Sequence, residues 1–163
     1  MKKGLFLLPL LLLSSCGNPE KFVLNESTFF LVMTNIQYYP EEYLEKDIIF
    51  DCFTYELTSV SGEKYMCGVR KCSSGYGCKC GKDTVIGFLF KNKEGLPAPI
   101  NQYEDTNDKA WIHVTGQIES VDKTDITMLA ADGTEESVQF LSFDISSFNV
   151  IEDYSNLHYY VDK

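Results

Sequence analysis

Four of the six cysteines in this 163-residue chain, Cys67, Cys72, Cys78 and Cys80, fall within fourteen positions, in a stretch otherwise rich in Gly, Ser and Lys. Such a loop has little side chain to pack, so order there requires disulfides or a metal. Thiolates are soft ligands suited to zinc or copper(I), and Arg70, Lys71, Lys79 and Lys82 would lower thiol pKa values nearby. On the metal reading Cys72, Cys78 and Cys80 bind the ion and Cys67, Asp83 or His113 supplies a fourth ligand. The C-x5-C-x-C spacing departs from the common zinc spacings. The plainer reading is one or two structural disulfides fixing the loop, each worth about 2–4 kcal/mol. Redox-active thiols are a third use, here without a C-x-x-C motif in a thioredoxin-like context. Outside the loop, Cys52 lies between Phe50 and Phe53 and reads as a small core residue, while His113, alternating with Ile112 and Val114, reads as a surface residue.

The sixth cysteine has a different setting. Met1-Lys2-Lys3 precedes an apolar run too short to span a bilayer, which needs about 20 residues, and the run ends in Leu13-Ser14-Ser15-Cys16. That tetrapeptide resembles the lipobox of bacterial lipoproteins, which implies cleavage before Cys16 and lipid on its side chain and new amino group. The expected organisation is a signal peptide over 1–15, a lipidated cysteine and tether over 16–25, and one domain over 26–163. With Cys16 lipidated, five cysteines remain, so at least one lies outside any intrachain disulfide. Formal charge is −10, and loss of Lys2 and Lys3 with the signal leaves −12. Such a surface repels phosphate backbones and anionic headgroups, so nucleic acid is a poor partner and attachment to the cell membrane falls to the lipid.

The elements that must hold the cysteine loop read mainly as strands. Residues 47–57 alternate with Ile48, Phe50 and Cys52 on one face, Ser61-Gly62-Glu63 turns the chain, and 64–70 runs back to the loop. Residues 84–90 leave it as a third strand, where Gly87 signals a bulge or a close backbone approach. A long acidic loop over 92–109 follows. Strands over 111–118, 126–130, 138–145 and 148–151 complete the pattern, with Asp132-Gly133 as a hairpin turn. The run Phe29-Phe30-Leu31-Val32-Met33 reads as a buried strand, and Pro40 followed by Glu41 and Glu42 opens one short helix ending near Glu45. The fold class is mainly β: a small OB-like barrel with one short helix, with a β-sandwich as the alternative. Tyr38, Tyr39, Tyr103, Tyr159 and Tyr160 read as barrel-rim residues, or else as the lining of a ligand groove.

Several motifs together resemble a family of bacterial proteins related to the C-terminal domain of YcgQ. They are the stretch from Ile36 through Tyr38-Tyr39-Pro40-Glu41-Glu42-Tyr43-Leu44 to Ile48, then Trp111-Ile112-His113-Val114-Thr115-Gly116, with Arg70, the segment Gly77-Cys78-Lys79-Cys80-Gly81-Lys82-Asp83 and Gly87-Phe88 between them. The chain departs from that pattern at Glu45 and Cys52, where the family has Gly, and at Lys79, which splits a Cys-Cys pair. Cys67 and Cys72 are additions to it. The resemblance implies a membrane-associated OB-like domain with no enzymatic activity, linked to a permease and loosely to metal homeostasis. The functional expectation is an extracytoplasmic lipoprotein acting as a binding or scaffold module, with a membrane protein or permease as partner. The alternative is a lipoprotein binding zinc or copper through the 67–80 loop.

Overall fold

The computed structural model describes residues 20–72, 84–92, 94–101, 110–129 and 133–161. The stretch read as a signal peptide, Cys16, Cys78, Cys80, Asp83 and Tyr103 lie outside them. The elements are β1 (Lys21–Leu24), α1 (Phe29–Tyr38), a 3-10 turn (Pro40–Glu42), β2 (Asp47–Thr58), β3 (Lys64–Cys72), β4 (Thr84–Phe90), β5 (Ile100–Asn101), β6 (Trp111–Leu129) and β7 (Glu135–Val150). β1 falls within the stretch read as tether and pairs in parallel with β2. No described helix is long and apolar enough to cross a membrane.

Strand pairing closes the sheet into a barrel. β2 pairs antiparallel with β3 along one edge (Phe53↔Val69) and with β6 along the other (Phe50↔Val114). β3 pairs antiparallel with β4, β4 in parallel with β7, and β7 antiparallel with β6. The circuit β2-β3-β4-β7-β6 therefore returns to β2, the order of an OB-like barrel. Its interior is aromatic. Phe50, Phe88 and Phe143 come from strands of which only β4 and β7 are neighbours, yet their ring centroids lie 5.5, 5.5 and 4.8 Å apart, across the barrel. Each such burial contributes about 2–3 kcal/mol. On the other side of β2 and β6, Phe53 and Trp111 pack on Tyr159 at 5.4 and 5.2 Å, so the C-terminal segment covers a second cluster.

The structure corrects the reading of residues 29–33. They begin α1 rather than a strand. Phe29, Met33 and Ile36 are buried at helical spacing, and Phe29 reaches Phe50 of the barrel interior at 6.1 Å. The helix start is marked by Asn25, whose Oδ1 accepts from Thr28 N, Thr28 Oγ1 and Ser27 Oγ. The helix expected from Pro40 is only a three-residue turn. Tyr43 then buries its ring, with Asn35 Nδ2 donating to its hydroxyl at 2.7 Å, and Glu45 takes φ +62°. The strands read separately at 111–118 and 126–130 are one strand, β6, and 138–145 and 148–151 join as β7. The polar residues between them belong to a hairpin whose ladder runs from Ile112↔Val150 out to Leu129↔Glu135, across two register shifts.

Glu45 occupies a backbone region that costs an L-residue about 1–2 kcal/mol and glycine far less. Glu45→Gly is therefore expected to stabilise the chain by about 1 kcal/mol, read as a higher urea midpoint at unchanged m-value.

Candidate functional site

α1 divides its residues between two tasks. The stripe Phe29, Met33 and Ile36 enters the core, while Phe30, Thr34, Gln37 and Tyr38, one helical face around, line a groove. Gln37 Nε2 donates to Gly87 O at 3.0 Å and holds the helix against β4. The opposite walls are Val85, Ile86 and Gly87 of β4, Lys123 and Asp125 of β6, and Ser137, Gln139 and Phe140 of β7, with Cys72 at the end of β3. The groove holds about 840 Å³, within the range of ligand-binding clefts. Its position, beside β3 and β4 and against the arms of the β6–β7 hairpin, is the face that OB barrels use for ligands.

The lining is mixed. Phe30, Tyr38, Val85 and Phe140 give apolar and aromatic surface, while Lys123 and Asp125 are its charged groups among the described residues. Asp125 Oδ1 accepts from Gln139 Nε2 at 2.8 Å, which orients both side chains. Thr34 Oγ1 is buried without a hydrogen-bond partner among the described residues.

The structure separates two of the cysteines read as one ligand set. Cys67 and Cys72 stand five positions apart on β3, so their side chains point to opposite faces. Cys67 is fully buried in the cluster with Tyr55 and Val69, whereas Cys72 reaches the groove. No disulfide joins Cys52, Cys67 and Cys72 to one another. Among the described residues no three His, Cys, Asp or Glu side chains gather as a metal set. His113, read as surface, is about half exposed and lies with Nδ1 2.6 Å from Asp51 Oδ1, outside the groove.

Cys52 is a core residue, as read from its neighbours. Burial pushes its thiol well above the ordinary value, with Arg70 opposing and Asp51 adding. Below about pH 8.5 folded and unfolded chains both hold this proton; above it the unfolded chain releases the proton and the folded chain keeps it. Stability is therefore expected to fall more steeply from pH 8 to 10 in the wild type than in Cys52→Ala, approaching one extra proton released on unfolding. Equal slopes in urea titrations at several pH values would contradict it.

Arg70, the strand arginine of the resemblance, is 1% exposed and fills the place where β3 leaves β2 and β1 takes over the β2 edge. Its Nη2 donates to Glu26 Oε1 at 2.5 Å and to His158 O, and its Nη1 to Asp51 O at 3.4 Å. Its guanidinium lies 4.9 Å over Trp111 and 5.2 Å over Phe29. It thereby ties the β1–α1 connection, the barrel and the C-terminal segment together. A smaller cleft beside it is lined by Glu26 and by residues including Tyr159 and Tyr160.

Of the tyrosines singled out in the sequence, Tyr38 lines the groove. Phe30, Thr34, Gln37, Lys123, Asp125, Gln139 and Phe140 were not legible as site residues. The signal that finds the first three is their 3–4 spacing, visible once the apolar run is read as a helix. Comparison with curated proteins and with solved structures yields no match. The model of the DUF1980 C-terminal domain matches residues 12–138, which include α1, the arginine strand, the cysteine-rich stretch and most of the groove. That agrees with the YcgQ-like landmarks and with the barrel, and the chain belongs to the DUF1980 C-terminal domain family.

Proposed function

We propose that the chain is a lipid-anchored extracytoplasmic binding module, held at the cell membrane through Cys16, that works by binding rather than catalysis in the groove between α1, β4 and the β6–β7 hairpin. The observation carrying this reading is the groove itself: apolar, aromatic and polar residues from five elements converge on the ligand-binding face of an OB-like barrel. The lipobox-like Leu13-Ser14-Ser15-Cys16 supports the anchor. Two experiments test the two halves. Cys16→Ser is expected to move the protein from the membrane fraction to the soluble extracytoplasmic fraction. A benzophenone amino acid at Tyr38 is expected to give a discrete cross-linked species in cells, and one at exposed Val150, outside the groove, none. Equal yields from both positions would remove the groove as the site.

A second reading, metal binding, draws on Cys72, which reaches the groove at the end of β3, where the cysteine-rich stretch begins in the sequence. It takes Cys72, Cys78 and Cys80 as zinc or copper(I) ligands and leaves Cys67 to the core. Metal content should then be lost in Cys72→Ser and Cys78→Ser and kept in Cys67→Ser. No bound metal in protein purified anaerobically without chelator would dispose of it.

A further inference from the structure

The groove has backbone walls as well as side-chain walls. β4 and β7 pair only at Leu89↔Ser142 and Phe90↔Phe143, with Lys91 N donating to Phe143 O at 3.3 Å just beyond. From there the strands diverge. Among the described strands, β4 continues toward Thr84 paired with β3 alone, and β7 continues toward Glu135 paired with β6 alone. Alternation along each ladder fixes which backbone groups face the gap. Gly87 O points into it, because it accepts from Gln37 Nε2, so Val85 shares that direction while Ile86 and Phe88 bond to β3. Phe143 O points toward β4, so Leu141, Gln139 and Ser137 face the gap from the other side. Two strand edges thus confront each other across the groove.

Elsewhere the barrel completes its edges with short extended segments of its own. β1 adds four residues in parallel to β2, β5 adds two, and the C-terminal segment bonds to β3 through Lys71 N to Tyr159 O at 2.7 Å and Val161 N to Lys71 O at 3.0 Å. Among the described residues no segment does this between β4 and β7.

We infer that the β4–β7 gap is a strand-addition site that takes an extended polypeptide segment of a partner protein, paired through main-chain hydrogen bonds to Ser137–Leu141 of β7 and to Val85 of β4. This deepens the groove reading and rests on it. Strand addition supplies affinity through the backbone and selectivity through alternate side chains. The groove offers Phe30, Val85 and Phe140 on its apolar surface and Lys123, Asp125 and Gln139 on its polar surface, so the fitting segment alternates apolar and polar residues.

The test combines hydrogen exchange by NMR on the full chain with peptides selected on it from a random phage-displayed dodecamer library. In the free chain the amides of Val85 and Gln139 are expected to exchange at least 100-fold faster than those of Ile86 and Phe88. Selected peptides should slow Val85 and Gln139 at least tenfold. Val85→Pro removes an edge donor without removing a β3 ladder bond, so it should shift the unfolding midpoint no more than Val85→Ala, which loses the same packing, and should weaken those peptides at least tenfold relative to Val85→Ala. Slow exchange at Val85 and Gln139 in the free chain would mean that a segment of the chain itself occupies the edge, and the inference fails. It fails equally if no peptide is selected, or if peptides bind while slowing other amides. A groove-specific cross-link at Tyr38 alongside any of these results would leave the groove reading standing without strand addition.

Discussion

Replacing Arg70 by Met is expected to lower stability by about 3 kcal/mol. Met keeps most of the side-chain volume, so the loss comes from charge and hydrogen bonds rather than from a cavity. Removing one partner of a buried ion pair costs about 3–5 kcal/mol, because the other is left uncompensated. Here Glu26 keeps 31% of its side chain in solvent and recovers part of its hydration, which places the effect at the lower end of that range. The carbonyls of His158 and Asp51 also lose their donor, and the stacking on Trp111 and Phe29 goes with the guanidinium. The damage has a location. His158 N donates to Glu26 Oε1, so Arg70 and Glu26 together anchor the C-terminal segment, alongside its two bonds to Lys71 and the packing of Tyr159 on Phe53 and Trp111. Limited proteolysis should therefore cut near 155–161 in R70M before the barrel unfolds. A urea shift below about 1 kcal/mol with an uncut C-terminal segment would show that Arg70 is not the tie described.

Gly87→Ala is expected to cost about 3 kcal/mol, the upper part of the range for overpacking. A Cβ at this position would run into the Gly68 carbonyl and stand 2.9 Å from Val69 Cα. Both obstacles are main chain on the paired strand, so neither can rotate away and β4 must move off β3. Gln37 is bonded to the Gly87 carbonyl, so that movement also unseats α1 and reshapes the groove. Gly133→Ala is the matched control. No described residue lies within 4 Å of its added Cβ, and its φ of +82° alone should cost about 1 kcal/mol. Equal losses for the two variants in urea unfolding would rule out the close approach as the reason for Gly87.

Gly87 also shows what was readable in advance. A lone glycine inside the apolar run Thr84-Val85-Ile86-Gly87-Phe88 signals close backbone approach, and the structure places the Gly68 carbonyl there. The strands at 47–57 and 84–90 were legible for the same local reason: alternation and turn residues act within a few positions, and Gly62 takes φ +84° where the turn was read. The run Phe29-Phe30-Leu31-Val32-Met33 misled because a continuous apolar stretch has no period to separate strand from helix. Its state was decided downstream, by Ile36 completing the buried stripe and Gln37 finding β4. Residues 119–125 read as a break because they are polar, yet a hairpin extending beyond the barrel exposes much of both faces and does not need apolar alternation.

From the sequence alone came the mainly β class, the OB-like barrel, the turn at Gly62, the core place of Cys52 and the family resemblance, since each is written in local pattern or in motifs along the chain. Tertiary structure decided the groove, the opposite facing of Cys67 and Cys72, the enclosure of Arg70 and the gap between β4 and β7. Phe30 and Phe140, or Arg70 and His158, are far apart in sequence and meet only because the barrel closes. No local spacing encodes that closure; it follows from burying Phe50, Phe88 and Phe143 against one another.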